Sequence, residues 1–173
     1  MTTNPIHALV PLIHRWSPRT MFDIVRKQLS RTVPFAKLLG VAVEDLDADG
    51  ATAALEPAAH LNNHVGTLHA GVVFTACETA SGAALAGALL PTIMKTRYVV
   101  RDARITYLKP AKGRLVCYGR LARPAADVVA ELERDGRAEI AIEVEARIAD
   151  DLAPAVLVAQ ASFHWHLRMQ RTD

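Results

Sequence analysis

The run NNHVGTLHAGVVFTACETASGAALAGALL, residues 62–90, decides the fold. A polar loop punctuated by Gly66 enters a segment, 68–90, that meets no proline until Pro91. Its small and aliphatic residues, among them Val72, Val73, Phe74, Ala76, Cys77, Ala80, Ala83, Ala84 and Leu85, cover the whole circumference of a helix. A helix apolar all round is either buried or spans a membrane. This one is rich in Ala and Gly, holds Glu78 near its middle and has no second apolar span to accompany it, so it reads as a buried core helix.

An ionised carboxylate at Glu78 is costly in that setting unless it is paired, hydrogen-bonded or protonated. Thr75, Ser81 and Gly82 lie three or four residues away on the same face, so two hydroxyls are placed to donate to it and Gly82 leaves space beside it. Two readings follow: a structural acid satisfied by Thr75 and Ser81, or a general base whose surroundings set its pKa. The helix start bears on the choice, because the first backbone N–H groups of a helix lack internal acceptors and carry positive partial charge. His69, Ala70 and Gly71 supply such donors, able to hold a carbonyl oxygen while a carboxylate works on its carbon. Asn63 and His69 add side-chain donors, although a turn residue and a helix-start packing residue are their plain readings.

Asn63, Gly66, Thr67, His69, Gly71 and Glu78 resemble the N-x-x-G-x-x-H-G-G…(D/E) signature of hotdog-fold acyl-CoA thioesterases, in the PaaI-like branch. The spacing fits without gaps. Tyr107-Leu108-Lys109-Pro110-Ala111 is similar to the YLRPA segment that ends a central strand in that family. The resemblance covers about 35–167 and is strongest over 63–82. It implies Glu78 as nucleophile or base, the Ala70 N–H as oxyanion donor, and Asn63 and His69 positioning the thioester or water. The departure is Ala70, where the family usually has glycine; the N–H survives and the added methyl narrows the approach. A further Ser or Thr of the family's site aligns with either Thr96 or Val100.

Composition narrows the function classes. The 173 residues suit one ordinary domain with a real core, read as a helical lead-in over 1–34 and a hotdog domain over 35–173. With 51% apolar and 22% charged residues the chain is globular, and a formal net charge of +2 is too near balance for a general nucleic-acid binder. Cys77 and Cys117 have no metal-ligand spacing and read as buried thiols in a reducing compartment. Residues 1–16 show no signal peptide, which places the protein in the cytoplasm.

Ser17 and Pro18 read as N-cap and first residue of a short N-terminal helix, with Met21, Ile24, Val25 and Leu29 on its apolar face and Arg19, Arg26, Lys27 and Arg31 on a solvated one. His7 and His14 support no functional reading. A strand over 38–45, a turn at 47–50 and a return over 51–55 form a hairpin, and strands follow the long helix over 98–108 and 113–122. A short helix over 124–134, stopped by Gly136, is inserted before two last strands. Over 138–148 apolar and charged residues alternate cleanly; the chain turns at Asp150-Asp151; and in 155–167 Phe163, Trp165 and Leu167 oppose Ser162, His164 and His166. His164 and His166 lack a third ligand nearby and read as exposed strand residues. Two strands, a long apolar helix and four strands give an α+β fold: an antiparallel sheet wrapped around one central helix. One sheet leaves a side of that helix uncovered, which predicts a homodimer or a dimer of dimers.

The leading expectation is hydrolysis of an acyl-CoA thioester to free acid and CoA, with no metal and no cofactor. Gly71, Thr75, Ser81 and Gly82 complete the candidate substrate-binding set, and Lys109, Lys112 and Arg114 are candidate contacts for CoA phosphates. Two alternatives stay open. One is a non-catalytic acyl-thioester-binding hotdog protein. The other is a hydratase or dehydratase on an enoyl or hydroxyacyl thioester, suggested by the spacing of His64 and Glu78.

Overall fold

The structure is a computed structural model that describes residues 18–150 and 153–170. The readings made for His7, His14, Ser17 and Asp151 lie outside those residues. Helix α1 spans Pro18–Thr32 and seats Met21 on the core at 1% exposure, with Phe22, Val25 and Leu29 beside it. Ile24, expected on that face, is 43% exposed.

The strand expected from residue 38 begins later. Pro34–Leu39 forms a short helix, α2, because Pro34 suits its first turn and Gly40, at φ +80°, closes it in the left-handed region. The Gly40 N–H returns to Lys37 and that of Val41 to Ala36, so the apolar pair Leu38 and Leu39 is helical. Strand β1 then runs Ala42–Leu46 and β2 Gly50–Leu55. Asp47 makes the turn between them, its Oδ1 accepting from the N–H groups of Asp49 and Gly50 at 2.8 Å.

After the loop 62–69 comes helix α3, Ala70–Ala88, then β3 Thr96–Tyr107, β4 Arg114–Leu121, helix α4 Ala125–Asp135, β5 Arg137–Asp150 and β6 Ala153–Met169. The six strands form one antiparallel sheet in the order β1-β2-β4-β5-β6-β3. Helix α3 lies mainly over β2 and β4, reaches β5 and meets β6 through the large side chains of Phe163 and Trp165. This is the α+β arrangement expected from the order of elements.

Small residues let the helix approach the sheet. A Cβ on Gly119 of β4 would sit 2.8 Å from the Ala80 carbonyl oxygen, and one on Gly87 would sit 2.0 Å from that of Asp47. At the same interface Cys77 and Cys117, fully buried, bring their sulfurs to 3.9 Å, a neighbourhood that 40 residues of separation conceal. The inward residues of β5, Ala138, Ile140, Ile142, Val144 and Ala146, are all buried, as are Phe163, Trp165 and Leu167 of β6.

Burial of α3 is uneven. Residues 83–88 are enclosed on every side, whereas Gly71, Phe74, Glu78 and Thr79 form an open stripe along the first half. Among the described residues no helix is long and apolar enough to cross a membrane.

Candidate active site

The loop ahead of α3 is held by its own side chains. Asn63 Oδ1 accepts from the N–H groups of Val65 and Thr67, and its Nδ2 donates to Thr67 Oγ1 at 2.8 Å. Gly66, at φ +75°, supplies the left-handed turn that this pattern needs. Leu68 and His69 then donate their N–H groups to Ala111 and Leu61, anchoring the entry to the helix. Asn63 is therefore engaged as a loop-closing residue at the edge of the site.

The helix start leaves one backbone donor uncommitted. Gly71 N–H donates to His69 Nδ1 at 3.0 Å, and the Val72 and Val73 N–H groups donate to the His69 carbonyl. The Ala70 N–H has no acceptor among the described residues. The bond from Gly71 requires a lone pair on Nδ1, so the proton of a neutral His69 ring sits on Nε2. Of the two small residues proposed as donors, Gly71 is thus occupied and Ala70 is free.

Tyr107, at the end of β3, was read only as part of a strand-ending motif. Its hydroxyl donates to the Ala70 carbonyl at 3.0 Å. The peptide joining Ala70 to Gly71 is thereby clamped at both ends, by Tyr107 at its C=O and by His69 at its N–H. Partial burial and the neighbouring Cys77 push the Tyr107 hydroxyl above its ordinary range, which keeps it a donor at neutral pH. Alternation counted from Tyr98 would put Tyr107 on the opposite face; the register shift between Val100 and Asp102 brings it to the helix side with Ala103 and Ile105.

A cleft of about 590 Å³ opens beside this clamp, lined by Asn63, Thr67, Ala70, Val73, Tyr107 and Lys109 together with apolar neighbours. Lys109 brings a cation to its rim, and Lys112 is exposed nearby. Arg114, expected with them, is engaged elsewhere: it bridges Glu44 and Glu56, holding β1 and the end of β2 against β4. His64 is exposed on the loop.

Glu78 is half-buried, and desolvation raises its carboxyl above the ordinary value of 4.5. The hydroxyls expected to satisfy it do not. Thr75 donates to the Gly71 carbonyl at 2.9 Å and Ser81 to the backbone carbonyl of Glu78 itself at 2.8 Å. Inside a helix such hydroxyls find the preceding turn's carbonyls more readily than a neighbouring side chain. Among the described residues nothing donates to the carboxylate. The space beside Gly82 is also filled, since a Cβ there would lie 3.3 Å from the Trp165 ring, whose Nε1 donates to Ser81 Oγ.

The strand residue left open between Thr96 and Val100 separates on geometry. Thr96 gives its hydroxyl to the Thr92 carbonyl at the far end of β3. Val100 pairs with Trp165, and Ala103 with Phe163, which packs edge-on against Phe74. The Val100 to Ala103 segment is therefore the part of β3 level with Glu78. Eight residues separate Ala70 from Glu78, about 12 Å along the helix axis, so one carbonyl group cannot touch both in a single chain.

The comparisons with known proteins agree with this architecture. The model of the family described as "Domain of unknown function (DUF4442)" matches residues 23–167. A Halobacterium salinarum protein named as a candidate esterase is 31% identical over 128 residues, 72% of this chain and 80% of that protein. A structure from Pseudomonas aeruginosa, described as of unknown function and a probable thioesterase, superposes with a TM-score of 0.70 at 23% identity, covering 86% of this chain and 95% of the other. A thioesterase-family protein from Silicibacter pomeroyi gives 0.69 at 17%, with coverage of 86% and 98%. These structures share the fold of a sheet wrapped on a central helix. The matched segment runs from within α1 to residue 167, near the end of β6, and the chain belongs to the DUF4442 family, with the hotdog fold of thioesterase-family proteins.

Proposed function

We propose that the protein hydrolyses an acyl-CoA thioester to free acid and CoA. Glu78 acts as general base or nucleophile, and the Ala70 N–H receives the oxyanion that forms as the carbonyl carbon is attacked. The observation that carries this reading is the uncommitted Ala70 N–H, adjoining the clamped Ala70–Gly71 peptide at the mouth of a mostly apolar cleft with Lys109 on its rim. The Halobacterium relative named for esterase activity and the thioesterase-named structures support the reaction class.

The 12 Å between donor and carboxylate is met by using two copies, Ala70 of one with Glu78 of another. A second copy has a place to join, because β3 pairs only with β6 and leaves its other edge open over twelve residues. Edge pairing there would turn the open stripes of two α3 helices toward each other. The proposed assembly is a homodimer or a dimer of dimers.

The test is free-thiol release from short, medium, long and aromatic acyl-CoAs by wild type and Glu78→Gln. Loss of turnover in a folded Glu78→Gln protein is expected; near-normal turnover would refute the assignment. One observation favours a second reading, a non-catalytic acyl-thioester binder: the Asn63 amide is engaged in its own loop. Acyl-CoA binding by wild type without turnover of any substrate would select it.

A further inference from the structure

Arg97, Arg168 and Arg137 stand directly opposite one another on β3, β6 and β5. Registered partners on adjacent strands point to the same side of a sheet. Their neighbours Tyr98, Leu167 and Ala138 pack into the core, so the three guanidinium side chains leave from the outer face, and all three are exposed. With strands about 4.8 Å apart, three positive charges arise within a span of about 10 Å. Like charges directly opposite on neighbouring strands destabilise a sheet. In a chain whose formal net charge is only +2 this is a local concentration of positive charge, and no carboxylate among the described residues forms an ion pair with it.

The acidic groups nearby are already engaged. Glu139, two residues along β5, takes Arg101 at 2.7 Å and His166 at 3.4 Å. Asp135 is held through both oxygens by Arg134, with Arg137 reaching it only electrostatically. Among the described residues none of the three arginines makes a side-chain hydrogen bond or ion pair. A cleft of about 760 Å³ opens beside the row, with Asp135, Arg137, His166, Arg168 and Gln170 in its wall.

We propose that this row is a binding site for a ligand carrying two or more phosphate groups. A guanidinium fork grips phosphate oxygens bidentately, and three forks across three strands leave charge unanswered if only one phosphate is present. The site is separate from the cleft at Ala70. Arg97 lies ten residues before Tyr107 on the same strand, about 33 Å away, and on the opposite face of the sheet. It therefore stands whether or not the thioesterase reading does. The phosphates come either from a nucleotide-type molecule such as CoA or from a free diphosphate.

The experiment is isothermal titration and thermal melting at low salt with inorganic pyrophosphate, ADP and CoA. It compares wild type, Arg168→Gln and Arg104→Gln, an outer-face arginine elsewhere on β3. Wild type is expected to bind at least one probe, with affinity falling as salt rises. Arg168→Gln should bind about ten- to a hundredfold more weakly, the loss of charge-assisted hydrogen bonds. Without ligand it should melt higher than wild type, because the central repulsion is gone. Arg104→Gln should behave as wild type. Binding of CoA alone assigns the phosphates to CoA, and similar binding of all three assigns the site to the diphosphate group itself. Absence of binding by every probe, or unchanged binding in Arg168→Gln, overturns the proposal.

Discussion

The Tyr107 hydroxyl donates to the Ala70 carbonyl at 3.0 Å and so ties the end of β3 to the first turn of α3. It holds the peptide next to the one whose N–H is free. In Tyr107→Phe the ring keeps its packing and only this bond is lost. A net hydrogen bond of about 1 kcal/mol corresponds to roughly a fivefold fall in turnover, with KM for the best acyl-CoA little changed. Steady-state kinetics on the folded variant checks this.

Ala70→Pro removes the proposed oxyanion donor while sparing the fold. Proline is tolerated at the first helical position, where its missing N–H breaks no internal bond. The preceding His69 already has φ −63° and ψ 140°, the extended conformation that a following proline demands. Turnover should fall on the order of 10²- to 10³-fold, with circular dichroism unchanged. Ala70→Gly should keep or raise it.

Burial raises the Glu78 pKa above 4.5, and this has two consequences with pH. The unfolded chain gives up the proton first, so between its pKa and the higher folded value the native state holds more protons and stability falls as pH rises. The penalty is absent below the unfolded pKa and complete above the folded one. Glu78→Gln should therefore melt higher than wild type at neutral pH and equal to it in acid. Activity runs the other way, since the ionised carboxylate is the working form: kcat/KM should rise along an acid limb whose midpoint lies above 4.5.

Lys109 and Arg114 should separate in kinetics. Lys109 lines the cleft, so Lys109→Ala should raise KM for acyl-CoA more than for the corresponding acyl-pantetheine, which lacks the nucleotide phosphates. Arg114 spends its charge on Glu44 and Glu56. Arg114→Ala should leave both KM values near wild type and lower stability by about 1 kcal/mol or less, as expected for a largely exposed ion pair.

The sequence by itself determined the long apolar helix, the hairpin before it, the four strands after it and the place of the helix start. Each rests on a local signal: continuous small residues without a breaker, alternation over 138–148, and Asp and Gly at the turns. Only the start of the 38–45 strand was misplaced, again for a local reason: Pro34 and Gly40 bracket a helical turn whose two leucines resemble a strand's beginning, and β1 follows at Ala42–Leu46. The positions of the candidate residues Asn63, His69, Ala70 and Glu78 were legible because one loop and one helix present them; their roles are part of the proposal.

Only the tertiary structure decided what those residues touch. Tyr107 reaches Ala70 across 37 residues, Trp165 fills the space at Gly82, Cys117 meets Cys77, and three arginines from three strands come into one row. Strand order and register set these contacts, and no local periodicity encodes them. The same holds for Thr75 and Ser81: helical spacing puts their hydroxyls near Glu78, but the choice between a carboxylate and a backbone carbonyl is made by side-chain rotamers within the folded helix.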